Sequence, residues 1–276
     1  GLDSGGLAAA ADAVVRGEEV RNHAARVAVG DETPGADEEA AAALKLLHGT
    51  ARLQPTFKTA FHLASTRARY ALERRAWREA VSLVPRERQT LDWDRFTWPE
   101  AVTWFARGIG AAREGELEKA QAAANRLDEL EAAAGGAGEA LFARNIHILR
   151  LGVGAWLAHA EHNRVSSVAL MREAADLEAA TPKHAVTPGP TLPGYELLGD
   201  LLLEQAQPAE ALLAYRQSLD LYPQRFNSLL GAARAARASG DNEVARTFYQ
   251  DLLQLATGGG RRSAAEEARA FLARQR

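Results

Sequence analysis

The stretch that decides the fold runs from Leu192 to Ala256, LPGYELLGDLLLEQAQPAEALLAYRQSLDLYPQRFNSLLGAARAARASGDNEVARTFYQDLLQLA. Within it Ala211 and Ala245, Tyr215 and Tyr249, and Leu219 and Leu253 each stand 34 residues apart, and Ala206 and Gly240 occupy matching turns. A fixed period of this length means a repeated helix hairpin, because one hairpin cannot bury its apolar face alone and stacks on the next copy. Gly199 and Ala211 are small where the two helices of a hairpin approach, while Tyr195, Leu202 and Tyr215 fill the space between neighbouring hairpins. Pro223 cannot continue a helix, so it ends one hairpin and turns the chain into the next.

Upstream the same order recurs with drift. Trp104, Gly108, Gly115 and Ala120 repeat the large, small, turn, small sequence at 3, 7, 14 and 19 residues after Ala101. Ala155, Ser167, Met171 and Ala174 read as a further copy, and so do Ala68, Trp77 and Ala80 in ARYALERRAWREAV. The small residues expected at the crossings, Ala80, Ala120, Ser167, Ala211 and Ala245, are 40, 47, 44 and 34 apart. Residues 1–53 predict two helices without a clear repeat. Alanine, leucine, glutamate and arginine dominate, and β-branched residues never alternate over a strand length, so about a dozen helices and no strand are expected. Breaks fall at Gly30 to Gly35, Gln54-Pro55, Val84-Pro85, Trp98-Pro99, Gly135 to Gly138, Thr181 to Gly194, Tyr222-Pro223 and Thr257 to Gly260.

With the repeat started at Leu192, Tyr195, Leu198, Gly199, Leu202, Ala211, Tyr215, Ser218 and Pro223 fall where the tetratricopeptide pattern has Trp, Leu, Gly, Tyr, Ala, Phe, Ala and Pro. The chain resembles that family at these positions. From Ala68 to Ala256, roughly two thirds of its length, it resembles the C-terminal half of longer, largely uncharacterised bacterial tetratricopeptide proteins. The resemblance implies an all-α, right-handed α-α superhelix of antiparallel helix pairs and a bacterial source. It divides the chain into N-terminal helices of an atypical or degenerate repeat (1–55), degenerate helix pairs (56–180), a Pro-rich connector (181–194), two well-formed units (195–257) and a C-terminal capping helix (258–276). In this family the first helix of each hairpin lines the inner face. Carried over position by position, that face holds His62, Arg69, Phe105, Arg113, Trp156, His159, Glu196, Asp200, Arg234 and Arg237. The lysines and asparagines with which chaperone-binding members clamp a C-terminal carboxylate are not reproduced, which argues against that partner.

Composition sets the outer limits. The 276 residues carry 47% hydrophobic side chains, enough for a continuous core. Lys and Arg number 33 against 36 Asp and Glu, for a formal charge of −3 without blocks of like charge, so a basic footprint for nucleic acid is missing. No apolar run approaches the roughly 20 residues that cross a bilayer, which predicts a soluble chain without a transmembrane segment. The absence of cysteine removes disulfides, thiolate metal sites and a cysteine nucleophile, and leaves the compartment open between the cytoplasm and export after loss of an N-terminal segment. Gly1 in place of Met reads as a processed or trimmed product.

Candidate chemistry is sparse. His159-Ala160-Glu161-His162 spaces its histidines by three rather than the four of a zinc-binding helix, and His162 falls at a hairpin turn. Glu18-Glu19, Glu38-Glu39 and Glu266-Glu267 are neighbours that diverge on a helix, which suits solvated charges better than an acid and base pair. Gly108-Ile109-Gly110 and Gly152-Val153-Gly154 lie inside helical patterns with no strand before them. Trp93 and Trp98 cover a hairpin end or form an aromatic ligand wall. The connector TPKHAVTPGPTLPG is the most unusual segment: its four prolines make it extended, either as a rigid spacer or as a strap that sends Lys183 and His184 into a pocket. No cofactor is implied. The leading expectation is a non-enzymatic interaction or scaffold module offering a concave groove to a peptide, a partner protein or another domain of a longer precursor. The alternative is a small-molecule binder with its ligand between the inner helices and the connector.

Overall fold

The computed structural model describes residues 56–86, 91–184, 189–255 and 263–274. The helices expected over 1–53, the breaks at 30–35 and Gln54-Pro55, the acidic pairs Glu18-Glu19 and Glu38-Glu39, and the glycine run 257–260 lie outside them. The described residues are all-helical, without a β-strand: α1 (Phe57–Glu73), α2 (Trp77–Ser82), α3 (Thr97–Glu114), α4 (Leu117–Gly136), α5 (Ala140–Ala160), α6 (Arg164–Ala180), α7 (Gly194–Glu204), α8 (Pro208–Leu221), α9 (Phe226–Ala238), α10 (Asn242–Leu255) and α11 (Ser263–Arg274). Local signals set their starts. The Thr56 hydroxyl accepts the Thr59 N–H at 3.2 Å, the Asn163 side chain accepts the Ser166 N–H at 3.2 Å, and Pro208 opens α8 where a missing N–H is harmless.

One turn recurs in all five pairs, and once more between pairs at Gly138 (φ 77°), where the Glu139 N–H closes onto Ala134 O at 2.9 Å. The first helix of each pair ends on a residue in the left-handed region: Arg75 (φ 57°), Gly115 (75°), His162 (64°), Ala206 (58°) and Gly240 (83°). The following N–H then closes back onto the helix, Ala76 onto Ala71 O (2.9 Å), Glu116 onto Ala111 O (2.8 Å), Asn163 onto Ala158 O (2.8 Å), Gln207 onto Leu202 O (2.9 Å) and Asp241 onto Ala236 O (2.9 Å). This is the six-to-one bond of a Schellman motif. The five turns are 40, 47, 44 and 34 residues apart, the same intervals as the small crossing residues. Each turn is followed five positions later by Ala80, Ala120, Ser167, Ala211 or Ala245, all 0% exposed. Helix length accounts for much of the drift: α4, α5 and α6 have 20, 21 and 17 residues against 14, 13 and 14 in α8, α9 and α10.

The first pair departs from the expected form. Its second helix has only 6 residues, because Val84 precedes a proline and is pushed out of helical conformation. Ala80 accordingly packs on the next pair, where a methyl at Gly110 would lie 2.9 Å from the Ala80 Cβ. In the last two pairs the ring of Tyr215 sits between α7 and α9, as its size predicts. A methyl on Gly199 would meet that ring at 2.7 Å, and one on Gly231 would overlap it.

The pairs form two layers. α3 buries 14 of its 18 residues and α4 only 5 of its 20, so the first is packed from several sides and the second from one. The odd helices α1, α3, α5, α7 and α9 each pack on the next odd helix, and the even helices α4, α6, α8 and α10 each sit between the two odd helices flanking them. The C-terminal end of α1 reaches α7 and α9 through Glu73 and Arg75, so the odd helices form the inner, more enclosed layer. α11 packs on α10 at the C-terminal edge.

Candidate functional site

The inner layer is where side chains from distant parts of the sequence meet. Its most distinctive tenant is the connector between α6 and α7. Three residues (137–139) suffice to join α4 to α5 and four (222–225) to join α8 to α9, yet thirteen (181–193) separate α6 from α7. The described parts of that stretch lie against α1, α3 and α5. An Arg69 Nη donates to the carbonyl oxygens of Pro190 (2.6 Å) and Gly189 (3.4 Å). The His184 ring lies among three aromatic rings, 5.3 Å from Phe57, 5.7 Å from Trp98 and 5.7 Å from Phe142. Lys183 stands 4.6 Å over the Tyr222 ring, a cation–π contact that holds the exposed side of the strap to the end of α8.

Beneath the strap is a cavity of about 60 Å³. One wall is apolar, from Phe61, Trp98, Ile148 and Leu149; the other carries Glu178, Thr181, Thr191 and Tyr222. The Glu178 carboxylate accepts the Gly194 N–H at 3.1 Å, fixing the point where the connector becomes α7. Burial pushes its pKa up to about 7, against the opposing pull of that hydrogen bond and of Arg225 and Lys183.

Further along the inner face the charges are paired. Glu196 is fully buried and accepts from Arg225 (2.9 and 3.1 Å) and Ser228 (2.6 Å). Arg225 also reaches Glu73 at 2.9 Å, and Arg75 bridges to Asp200 at 2.5 Å. Burial alone would raise the Glu196 carboxyl, but Arg225 and Arg75 hold it below the ordinary carboxylate range. Asp200 goes the other way, raised by burial and by the charge of Glu196 despite Arg75 and the Tyr215 hydroxyl that donates to it at 2.7 Å. Because these partners span α1, α7 and α9, the network ties the two ends of the inner layer together.

At the middle of the face the Arg113 guanidinium stands 4.9 Å from the Trp77 ring and 4.4 Å from the Trp156 ring, and pairs with Glu204. His159 meets the other oxygen of that carboxylate at 3.1 Å. Both oxygens are therefore engaged, and the group reads as a held ion pair on a part-exposed surface. Among the described residues no group of three histidines or carboxylates is arranged to hold a metal ion.

The twelve residues singled out by sequence divide into distinct settings. Arg69, Lys183 and His184 belong to the docked connector, Glu196 and Asp200 to the buried charge network, and Arg113, Trp156 and His159 to the central group. Phe105 is 2% exposed and Trp156 also 2%. Phe105 is thus a core residue and not groove lining: α3 is enclosed from several sides, so a face that would be open on an isolated pair is covered. Arg234 and Arg237 face the capping helix, where Arg234 donates to both Glu267 oxygens (2.6 to 3.2 Å) and Arg237 lies 3.7 Å away. They do not extend the surface holding the connector. His62 is part-buried, its ring 6.4 Å from that of Phe61. Trp98 joins the aromatic cluster around His184, and Trp93 packs in a separate small cluster with Ala60, Leu91 and Phe96. Sequence reasoning missed Glu73, Trp77, Glu178, Glu204 and Arg225 as members of this face. Glu73 and Arg225 are 152 positions apart, and no local pattern links them. Glu178 carried a readable signal, a carboxylate in the last turn before the strap.

No protein-family profile matches the chain, and no curated protein matches it. The geometry therefore carries the functional argument.

Proposed function

We propose that the chain is a non-enzymatic interaction or scaffold module of the tetratricopeptide type, a superhelical stack whose inner face takes a peptide or a segment of a protein partner. The observation that carries this reading is the connector itself, whose described residues are held on the odd helices through two backbone carbonyls and one ring. A face that holds one extended chain has the donors and apolar walls to hold another. The part-exposed Arg113, His159 and Glu204 continue that face with both signs of charge, which favours orientation of a partner over bulk affinity. The test is site-specific photo-crosslinking in the source cells, with the reactive residue at Arg113 on the inner face or at Leu213 on the exposed side of α8. Crosslinks to a protein from Arg113 alone support the reading; crosslinks from Leu213 alone contradict it.

The cavity under the strap favours a second reading, a small-molecule site between the inner helices and the connector. Its volume of about 60 Å³ accommodates a few waters or a very small molecule, far below an ordinary ligand pocket. The peptide reading is therefore preferred.

A further inference from the structure

Each pair in a stack of helix pairs normally meets only its neighbours, so such stacks flex along their length and can open from any point. The odd helices here pack in that order, α1 on α3, α3 on α5, α5 on α7 and α7 on α9. One set of contacts departs from it. Glu73, the last residue of α1, accepts from Arg225 at 2.9 Å, and the Asn227 amide donates to the Glu73 carboxylate at 3.2 Å and to its carbonyl at 3.0 Å. Arg75, in the turn that follows, reaches Asp200 at 2.5 Å and Glu196 at 3.5 Å. These contacts join the first described pair to the fourth and fifth, with Glu73 and Asn227 154 positions apart.

The seam is buried and its charges are matched. Glu73 is 6% exposed and Glu196 0%, and every charge in it has an opposite charge within 3.5 Å. A buried ion network adds little net stability, since its members give up water to form it, yet parting one member strands another. Its effect is to fix geometry. Arg225 shows how: Nε and Nη2 donate to Glu196 on α7, and Nη2 also donates to Glu73 on α1. One guanidinium at the start of α9 therefore sets the spacing of three odd helices. That spacing passes directly to the central group, because Asp200 and Glu204 stand one turn apart on α7 and the Trp77 ring lies 5.7 Å from Arg75 and 4.9 Å from Arg113.

We infer that Glu73, Arg75, Arg225 and Asn227 form a clasp that joins the first and last pairs into one cooperative unit and so presents the inner face as a preformed surface. This rests on the inner face being the binding surface, and it adds how that surface keeps its shape. In a stack coupled only through neighbours, α1 opens without α9. With the clasp closed, the two open together. A partner then meets side chains already in place and loses less freedom on binding.

The test is native-state hydrogen exchange, read by mass spectrometry, on the full chain and on a Glu73→Ala, Arg75→Gly double variant. Glycine suits the left-handed turn at position 75, as Gly115 and Gly240 do in the matching turns, and across the seam Arg225 keeps Glu196 while Asp200 keeps the Tyr215 hydroxyl. In the full chain the slowest amides of α1 and α9 are expected to exchange at one rate, because they share one opening. In the variant α1 is expected to exchange at least about tenfold faster than α9, the factor that goes with losing a hydrogen bond to a charged group. Unequal rates in the full chain would overturn the inference, as would rates that stay matched in the variant. If the double variant does not fold, Arg75→Gly alone is read by the same two criteria. Loss of matching in the variant, together with crosslinks from Leu213 alone in the source cells, would keep the clasp and sink the interaction reading.

Discussion

The last two pairs, α7 to α10, and the earlier ones, α1 to α6, solve the same packing problem with different economy. In the late pairs the helices are short, the joins have three or four residues, and the period is 34. In the early pairs helices reach 21 residues and the intervals stretch to 47. Yet both regions use the same left-handed turn and the same fully buried small residue five positions after it. The difference teaches that a helical repeat is defined by its turn and its crossing, not by its length. A hairpin can lengthen outward from a fixed corner without disturbing its neighbour, whereas the corner itself cannot drift.

If that equivalence is right, overpacking should be as damaging early as late. Ala120→Trp and Ala211→Trp are each expected to cost about 3 kcal/mol or more, at or beyond the upper end for overpacked cores. Glu210→Trp, whose side chain is 55% exposed, should change stability by less than about 0.5 kcal/mol. Thermal melts check all three. An Ala120 variant as stable as the Glu210 variant would show that the early pairs are not copies of the late ones.

The connector separates the two regions and gives them a pH dependence. The folded pKa of Glu178, about 7, lies above the ordinary 4.5 of the unfolded chain, so the native state keeps its proton longer. Its contribution is complete below the unfolded value and is lost as pH rises through about 7. Glu178→Gln should therefore reduce the loss of stability between about pH 5 and pH 8 by about 1–3 kcal/mol. Parallel pH profiles for the two proteins in urea denaturation would remove Glu178 from the account.

The turns give a smaller and sharper comparison. Gly240 holds its left-handed conformation without strain, while Ala206 holds the same one with a Cβ. Gly240→Ala should destabilise by about 1 kcal/mol and Ala206→Gly should stabilise by a similar amount. Effects of the same sign in the two melts would mean the turns are not equivalent.

What could be read from the sequence follows the range of the interactions. Among the described residues local signals gave most of the helices and breaks, because turns and small residues act within one hairpin; Trp98-Pro99 instead opens α3 from inside its first turn, since proline is tolerated there, and Ala80 packs on the next pair. Gly115 and Gly240 advertise their turns, whereas Arg75 does not, since nothing in its side chain signals a positive φ. Lys183 and His184 stood out by composition alone. Their partners did not: the rings around His184 come from Phe57, Trp98 and Phe142, and Arg69 lies 121 positions before Pro190. The burial of Phe105 and the capture of Arg234 by Glu267 depend on how pairs stack and on where α11 settles. Neither is written in the register of a single repeat.

The central claim is that the connector is seated on the inner face, and a double-mutant cycle between Trp98 and His184 tests it most directly. Their rings meet edge to face at 5.7 Å although 86 positions separate them. Trp98→Ala, His184→Ala and the double variant, compared by urea denaturation, should yield a coupling energy of about 0.5–1.5 kcal/mol. Strictly additive effects would contradict the seating of the strap and with it the account of the inner face as a surface for extended chain.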